Sequence, residues 1–261
     1  MCPPRSNPHP ASTNYFNPPL PRILAHRGFA EAAPENTILA FSHALIHGAG
    51  YLELDVHASA DQIAVVSHDP TLPRPTGPAI EIARTPWSEL RTIPLAHGQT
   101  LCTLSEVLDT FPEARINIDL KTPAAVAPTV AAIRKARATH RVLISSFDEK
   151  SRAGAVRHLP GVATSTARPA ATRAIIYATL GLTGPLARTL APYDAVQLPY
   201  RVGGIPIITP RLIRRIQRTH TEVHVWTVNN PTRMAKLLRY GVDGIVTDRC
   251  DLAVALTRAH N

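Results

Sequence analysis

The chain has 261 residues, which is enough for one large α/β domain or two small ones with an ample core. Its 28 Lys and Arg residues outnumber 19 Asp and Glu residues, and the net charge of +9 favours anionic ligands. The three cysteines, Cys2, Cys102 and Cys250, have no CxxC or histidine spacing, which excludes a disulfide framework and a zinc site.

Residues 1–20 are rich in Pro and Asn and lack the apolar run of a signal peptide, so we expect a short flexible tail. The longest mainly apolar window, residues 174–187, is broken by Gly and Pro and is too short to span a bilayer. Together with the unpaired cysteines, these features predict a soluble, cytoplasmic protein without a transmembrane segment. Peripheral contact with a membrane stays open, and the sequence gives no indication of an oligomeric state.

From residue 21 onward, short apolar runs alternate with amphipathic stretches, a pattern typical of repeated βα units. Eight such runs favour a TIM (β/α)8 barrel formed by residues 21–261 as a single domain. An open doubly wound sheet ranks second because no GxGxxG fingerprint is present. Residues 57–100 interrupt the alternation and predict a small lobe inserted after the second strand. The predicted strands are residues 22–25, 51–56, 115–120, 142–145, 162–165, 194–198, 223–228 and 244–247.

Two of the predicted strands carry charged side chains two residues apart. Glu53 and Asp55 lie in one strand, and Asp119 and Lys121 end the other. Alternation along a strand places each pair on one face, while the neighbouring residues are apolar, as in a buried strand. Because an unpaired buried charge is costly, a hard cation or a phosphate is the expected partner.

A barrel of this kind concentrates its chemistry at the C-terminal ends of the strands and in the loops that follow. We therefore expect the polar residues at the predicted strand ends to meet at one rim. These residues are His26, Arg27, Glu53, Asp55, Asp119, Lys121, Ser145, Ser146, Gln197, Trp226, Asn229 and Asp248.

A series of motifs also runs along the chain in a fixed order. It consists of AHRGFAEAAPENT at 25–37, ELD at 53–55, HDPTLPRPTG at 68–77, VHVWTVN at 223–229 and GVDGIVTD at 241–248. This series resembles the glycerophosphodiester phosphodiesterases, with their HRG, PENT, ExD and HDxxxxRxTG elements. The match extends over nearly all residues after the tail. It implies a TIM barrel with a small insertion after its second strand.

The resemblance implies a metal site and a phosphate site. Glu53, Asp55 and Asp119 would hold one divalent cation, Mg²⁺ or Ca²⁺, for which hard oxygen ligands are suited. Arg27 and Lys121 would bind the substrate phosphate and neutralise charge that develops on its oxygens.

The resemblance further implies that His26 and His68 are the general acid and base of phosphodiester hydrolysis, for which imidazole is suited. Glu35 would support the site from a second shell of contacts, and Trp226 would form a wall for the substrate or pack in the core.

Three further polar residues have simpler interpretations from local sequence. Asn36 could support the site from a second shell as Glu35 would, but we interpret it as the N-cap of the helix that follows it. We interpret Asp248 as a cap of the last helix rather than as a metal ligand. Asp69 either orients His68 or begins the turn into Pro70.

The function implied is metal-dependent hydrolysis of glycerophosphodiesters, the deacylated phospholipids, to glycerol phosphate and an alcohol. An alternative is lysophospholipase D or sphingomyelinase D-like activity on a lipid, since Asp119 stands where many family members have Glu and the apolar window 174–187 would suit a mouth loop. An inactive barrel that binds phosphorylated ligands is the alternative from another class. Nucleic acid is not an expected partner, because the basic stripe at 211–218 lacks interleaved aromatic residues.

Overall fold

Parallel strands and helices alternate along the computed structural model, which describes residues 14–31, 33–72 and 79–258. The strands are β1 (Arg22–His26), β2 (Tyr51–Ala58), β3 (Ala64–Val66), β4 (Thr71–Leu72), β5 (Ile80–Glu81), β6 (Cys102–Thr103), β7 (Arg115–Leu120), β8 (Val142–Ser145), β9 (Ala163–Thr164), β10 (Ala195–Pro199), β11 (Arg201–Val202), β12 (Ile205–Pro206), β13 (Glu222–Trp226) and β14 (Gly244–Thr247). The helices are α1 (Ile38–Ile46), α2 (Trp87–Leu90), α3 (Leu104–Thr110), α4 (Val126–Lys135), α5 (Glu149–His158), α6 (Arg168–Leu180), α7 (Thr183–Leu190), α8 (Pro210–Gln217), α9 (Pro231–Tyr240) and α10 (Cys250–Arg258).

Eight of these strands pair in parallel in the order β10-β13-β14-β1-β2-β7-β8-β9. A parallel bridge between Ser165 and Ala195 joins the two ends of the series, so the sheet is a nearly closed barrel. Each predicted strand matches one of the eight to within two residues at either end. The strands are apolar runs because helices cover their outer faces. The predicted TIM barrel is therefore confirmed.

The segment between β2 and α3 departs from the alternation at the place where the sequence predicts an inserted lobe. β3 pairs antiparallel with β2 and with β6, which extends the barrel sheet outward. The lobe has its own apolar cluster, formed by Val65, Leu72, Ile80, Ile82, Leu90 and Leu101. Residues 73–78, which include the PRPTG part of the fourth motif, lie outside the described residues.

The N-terminal segment differs from its prediction. Residues Asn14–Phe16 form a 3-10 helix at the base of the barrel, and the side chain of Tyr15 is fully buried there. The Tyr51 hydroxyl donates to the Tyr15 carbonyl over 2.7 Å, and Arg22 donates to the carbonyls of Phe16 and Pro18. The predicted flexible tail is therefore wrong for residues 14–16, whereas residues 1–13 lie outside the described part of the chain.

Arg22 anchors this segment through a buried ion pair. Its Nε lies 2.6 Å from Oε2 of Glu222, and its Nη2 lies 2.7 Å from Oε1 of the same carboxylate. His224 approaches Glu222 Oε2 through Nε2 at 3.0 Å. A bidentate pair of this kind fixes orientation as well as charge, so it holds β1, β13 and the N-terminal segment together.

No helix within residues 14–31, 33–72 and 79–258 has both the length and the apolar character needed to cross a bilayer. The apolar window 174–187 lies in α6 and α7.

Replacing Tyr15 by Ala should lower the free energy of unfolding by about 3–5 kcal/mol, because it removes a buried aromatic ring. Urea denaturation followed by circular dichroism measures this change. Leu20→Ala is the matched control, since Leu20 is exposed and its loss should change stability by less than about 0.5 kcal/mol. Equal stability of the two variants would show that the N-terminal segment does not pack on the barrel.

Candidate active site

A cavity of about 210 Å³ opens at the C-terminal ends of the barrel strands. Of the residues to which the sequence gives a role in binding or catalysis, all but Glu35 line it, whereas Asn229 and Asp248, which were also expected at this rim, do not. The lining residues are His26, Arg27, Glu53, Asp55, His68, Asn117, Asp119, Lys121, Ser145, Ser146, Phe147, Ser165, Thr166, Gln197, Trp226, Thr227 and Val246.

The three carboxylates expected at the metal site are buried on the adjacent strands β2 and β7. Asp55 lies directly opposite Asp119, and like charges in that position repel each other. Burial, reinforced by repulsion from Asp55, raises the pKa of Glu53 to about 8. Burial also raises the pKa of Asp119. The site therefore gathers more negative charge than its surroundings stabilise.

Two basic side chains partly offset this charge. Lys121 Nζ lies 3.0 Å from Asp55 Oδ1 and 3.2 Å from Asp119 Oδ2. Arg27 Nε lies 3.3 Å from Asp55 Oδ2. Burial acts to lower the pKa of Lys121, but attraction by the two aspartates outweighs it and the pKa is raised. Lys121 is therefore held in its charged form.

The three carboxylates suit a metal ion by their chemistry but not by their present arrangement. They offer only hard oxygen donors, and the raised pKa of Glu53 shows that its ionised form lacks a positive partner among the described residues, which a cation would supply. As the side chains stand, the described residues contain no group of three His, Cys, Asp or Glu placed to hold a metal ion. Asp55 and Asp119 are bridged by Lys121 instead. The oxygen donors and their negative charge thus fit a divalent cation, while Lys121 contacts two of the same carboxylates.

His26 is held by a carboxylate from the far end of the chain. Its Nδ1 lies 2.6 Å from Asp248 Oδ1, and since a carboxylate can only accept, Nδ1 carries the proton. Asn229 donates to the other oxygen of Asp248 and accepts from its backbone N–H at 2.9 Å. The interpretation of Asp248 as a cap of the last helix is therefore replaced by a contact with His26.

This contact changes the acidity of both partners. Burial acts to lower the pKa of His26, but the bond to Asp248 and the charge of Glu53 outweigh it, so the pKa is raised. Burial acts to raise the pKa of Asp248, but its bonds to His26 and Asn229 outweigh it, so that pKa is lowered. The contact with Asp248 therefore favours protonation of His26 relative to a free histidine.

His68 is positioned by two neighbours. Asp69 Oδ1 lies 2.8 Å from His68 Nδ1, which is the orienting contact left open by the sequence. The buried His57, on the same face of β2 as the site carboxylates, donates from Nε2 to the His68 carbonyl over 3.0 Å. The role of His57 was missed, because its partner is a backbone atom that no side-chain motif reveals.

The loop after β1 wraps over the carboxylates. Glu35 accepts two hydrogen bonds from Arg27 Nη1, each of 3.0 Å, and so supports a residue of the cavity without lining it. The predicted N-cap Asn36 is wrong: Thr37 caps α1 through a bond from Ala40 N–H. Asn36 instead takes a left-handed conformation, with φ of 57°, and donates to Asp55 Oδ2 over 3.1 Å. Asn tolerates that conformation better than most residues.

The far side of the cavity is neutral and partly aromatic. Trp226 and Phe147 meet edge to face, with ring centroids 5.8 Å apart. Asn117, Ser165 and Thr166 also line the cavity but were not identified from the sequence, since they are ordinary polar residues without a motif.

The apolar window 174–187 contributes no residue to the cavity. α6 leaves the rim just after Thr166, and its 13 residues carry the chain about 20 Å away from it. The expected apolar mouth loop is therefore not formed by this window.

The chain is similar to known proteins over nearly its whole length. The model of the Glycerophosphoryl diester phosphodiesterase family matches residues 26–252. A relative from Mycobacterium tuberculosis, named probable glycerophosphodiester phosphodiesterase 2, is 41% identical over 231 residues and covers 88% of each chain.

Solved structures are similar over the whole barrel. The glycerophosphodiester phosphodiesterase of Thermotoga maritima is 27% identical, with a TM-score of 0.70, over 90% of this chain and 97% of its own. A phosphodiesterase of Oleispira antarctica, solved in complex with the product sn-glycerol-3-phosphate, shares the fold with a TM-score of 0.75 and 23% identity, over 92% and 97% of the two chains. The chain therefore belongs to the glycerophosphoryl diester phosphodiesterase family, whose members are phosphoric diester hydrolases.

Proposed function

We propose that this chain hydrolyses glycerophosphodiesters to glycerol phosphate and an alcohol, in a metal-dependent reaction with histidine acid and base catalysis. The observation that carries the proposal is a single cavity with two histidines, each beside a carboxylate, and a buried group of carboxylates and basic side chains. Hydrolysis of a phosphodiester needs a group that accepts a proton, a group that donates one, and positive charge near the phosphate oxygens.

Glu53, Asp55 and Asp119 would hold the divalent cation, Mg²⁺ or Ca²⁺. When bound, the cation supplies positive charge to a phosphoryl oxygen of the substrate. Arg27 and Lys121 bind the remaining phosphate oxygens, and their positions beside Asp55 keep both side chains at the cavity wall.

The two histidines divide the proton transfers. His68 removes a proton from the attacking group as the new P–O bond forms. Attack by water gives glycerol phosphate directly, whereas attack by the glycerol hydroxyl gives a cyclic phosphate that water opens in a second step. His26 delivers its proton to the leaving alkoxide as the old P–O bond breaks. The raised pKa of His26 supports the acid role, because the protonated imidazole is the form that donates. Asp248 is a positioning residue that stabilises this form.

The substrate assay compares glycerophosphocholine, glycerophosphoethanolamine, a lysophospholipid and sphingomyelin, each with Mg²⁺, Ca²⁺ or EDTA. We expect turnover of the two glycerophosphodiesters and its loss in EDTA. Turnover of the lipids alone would favour the lysophospholipase D or sphingomyelinase D alternative. Failure on all four substrates would favour a barrel that only binds phosphorylated ligands, and activity that survives EDTA would exclude the metal mechanism.

Replacing His68 by Ala should lower kcat by a factor of about 10²–10⁴, since one proton transfer loses its catalyst. Steady-state kinetics with glycerophosphocholine measures the effect. The control is His158→Ala, at the exposed end of α5, which should keep full activity. If His68→Ala kept more than a tenth of the wild-type kcat while folding normally, the base role would be wrong.

Replacing Asp248 by Asn removes the charge that favours protonated His26 and so lowers its pKa. Because the acid form is lost as pH rises through that pKa, the alkaline fall of kcat/KM should move to lower pH. A pH–rate profile measures this shift, and Asp251→Asn, which removes a carboxylate paired with Arg249 outside the cavity, is the control. A uniform loss of rate without movement of the profile would contradict the positioning role.

A further inference from the structure

A preformed hairpin stands on the rim beside the cavity. β11 and β12 pair antiparallel, with Arg201 opposite Pro206 and Val202 opposite Ile205. The two residues that join them, Gly203 and Gly204, have φ of 54° and 81°. A type I′ turn requires positive φ at both positions, so this turn fits the twist of the strands it joins.

The hairpin is fixed to the wall of the cavity at its base. Tyr200 N–H donates to the carbonyl of Trp226, a lining residue, over 3.0 Å. Across the hairpin, Arg201 Nη1 donates to the Gly204 carbonyl over 3.0 Å. The tip therefore has a defined position relative to the mouth.

The tip presents apolar side chains to solvent. Val202 is 53% exposed and Ile205 is 69% exposed. As directly opposed residues of an antiparallel pair, they lie side by side on one face. Phe147, which contacts Trp226 at the cavity, is also half exposed. The exposed apolar groups thus flank the mouth on the side of β8, β10 and β13.

The same part of the rim is basic. The exposed Arg201 and Arg233 lie 5.7 and 5.5 Å from the Tyr200 ring, and Arg168 lies 5.0 Å from the Phe147 ring. The loops that follow β9, β10 and β13, residues 165–167, 200–209 and 227–230, contain no Asp or Glu, whereas the loop after β8 carries the exposed Asp148 beside Phe147. The exposed carboxylates Glu35 and Asp69 belong to the loops after β1 and β3. The loops after β9, β10 and β13 therefore form the basic part of the rim.

We propose that this surface, the hairpin 201–206 with Arg168 and Arg233, docks the mouth of the barrel on an anionic phospholipid surface. Val202 and Ile205 enter the boundary between head groups and acyl chains, and the arginines meet the lipid phosphates. The proposal goes beyond the hydrolytic function and does not depend on turnover.

Two features disfavour other occupants of the hairpin. A second copy of the chain would bring the arginines of both copies together, and these like charges would repel each other. Strand addition by a peptide is opposed by the length of the strands, two residues each, and by Pro206, which has no N–H to donate. An anionic surface neutralises the arginines and also accepts the aliphatic side chains.

Flotation of the full chain with vesicles tests the proposal. Vesicles of phosphatidylglycerol and phosphatidylcholine in equal parts are compared with vesicles of phosphatidylcholine alone. The wild-type chain should float with the anionic vesicles, and the double variant Val202→Ser/Ile205→Ser should bind them at least tenfold more weakly, because two buried aliphatic side chains are lost. The matched control Ile46→Ser/Leu180→Ser, at two exposed aliphatic residues on the ends of α1 and α6, should bind as the wild type does.

A second variant, which removes two positive charges, measures the electrostatic contribution to binding. Arg201→Gln/Arg233→Gln should weaken binding to anionic vesicles, by roughly fivefold for each arginine. Hydrolysis of a water-soluble glycerophosphodiester should be unchanged in both hairpin variants, so failure of this docking and failure of the hydrolytic proposal give different results. The proposal would be overturned if the wild-type chain did not bind, or if the hairpin and control variants bound equally. It would also be overturned if light scattering showed a dimer that dissociated only in the hairpin variant.

Discussion

The opposition of Asp55 and Asp119 across two neighbouring strands is the constraint on which the top of the barrel depends. Parallel strands lie about 4.8 Å apart, and two charges at that distance repel by roughly 3 kcal/mol at an effective dielectric constant of about 20. Lys121, two residues after Asp119 and therefore on the same face, contacts both carboxylates and offsets this repulsion. The barrel thus keeps two buried acids side by side because a cation is built into the same strand end.

The same carboxylates organise the loop after β1. Glu53 accepts the Arg27 backbone N–H, and Asp55 accepts from Asn36. Both Arg27 and Asn36 have positive φ, a conformation that costs about 1–3 kcal/mol each and persists only when its surroundings over-determine it. These two residues are held in that conformation by their hydrogen bonds to the carboxylates and by the bond from Asn36 N–H to the Arg27 carbonyl. The buried carboxylates of β2 therefore also hold the strained backbone of the loop after β1 in place.

The barrel could be predicted from the sequence because each strand is a continuous apolar run, and its cavity because polar residues end those runs. The bond between His26 and Asp248 could not be predicted, because the two residues are 222 positions apart and Asp248 also fits a helix cap. Asn36 and Thr37 are both good caps by residue type, and the sequence does not show that Asn36 donates to Asp55 while Thr37 caps the helix. Tyr15 lies in a segment of tail-like composition, and the hydrogen bonds that fix this segment end on its backbone carbonyls, which leave no pattern in the sequence.

Buried charge occurs at both ends of the barrel, and Glu222 and Glu53 show two ways in which it is stabilised. At the base, burial acts to raise the pKa of Glu222, but hydrogen bonds from Arg22 and His224 outweigh it and the pKa is lowered. At the mouth, burial and repulsion by Asp55 raise the pKa of Glu53. The Glu222 carboxylate already has its cation, Arg22, and this pair holds the fold together. The ionised form of Glu53 has no such partner within the described part of the chain and would be stabilised by a positive charge, which is the electrostatic condition for a binding site.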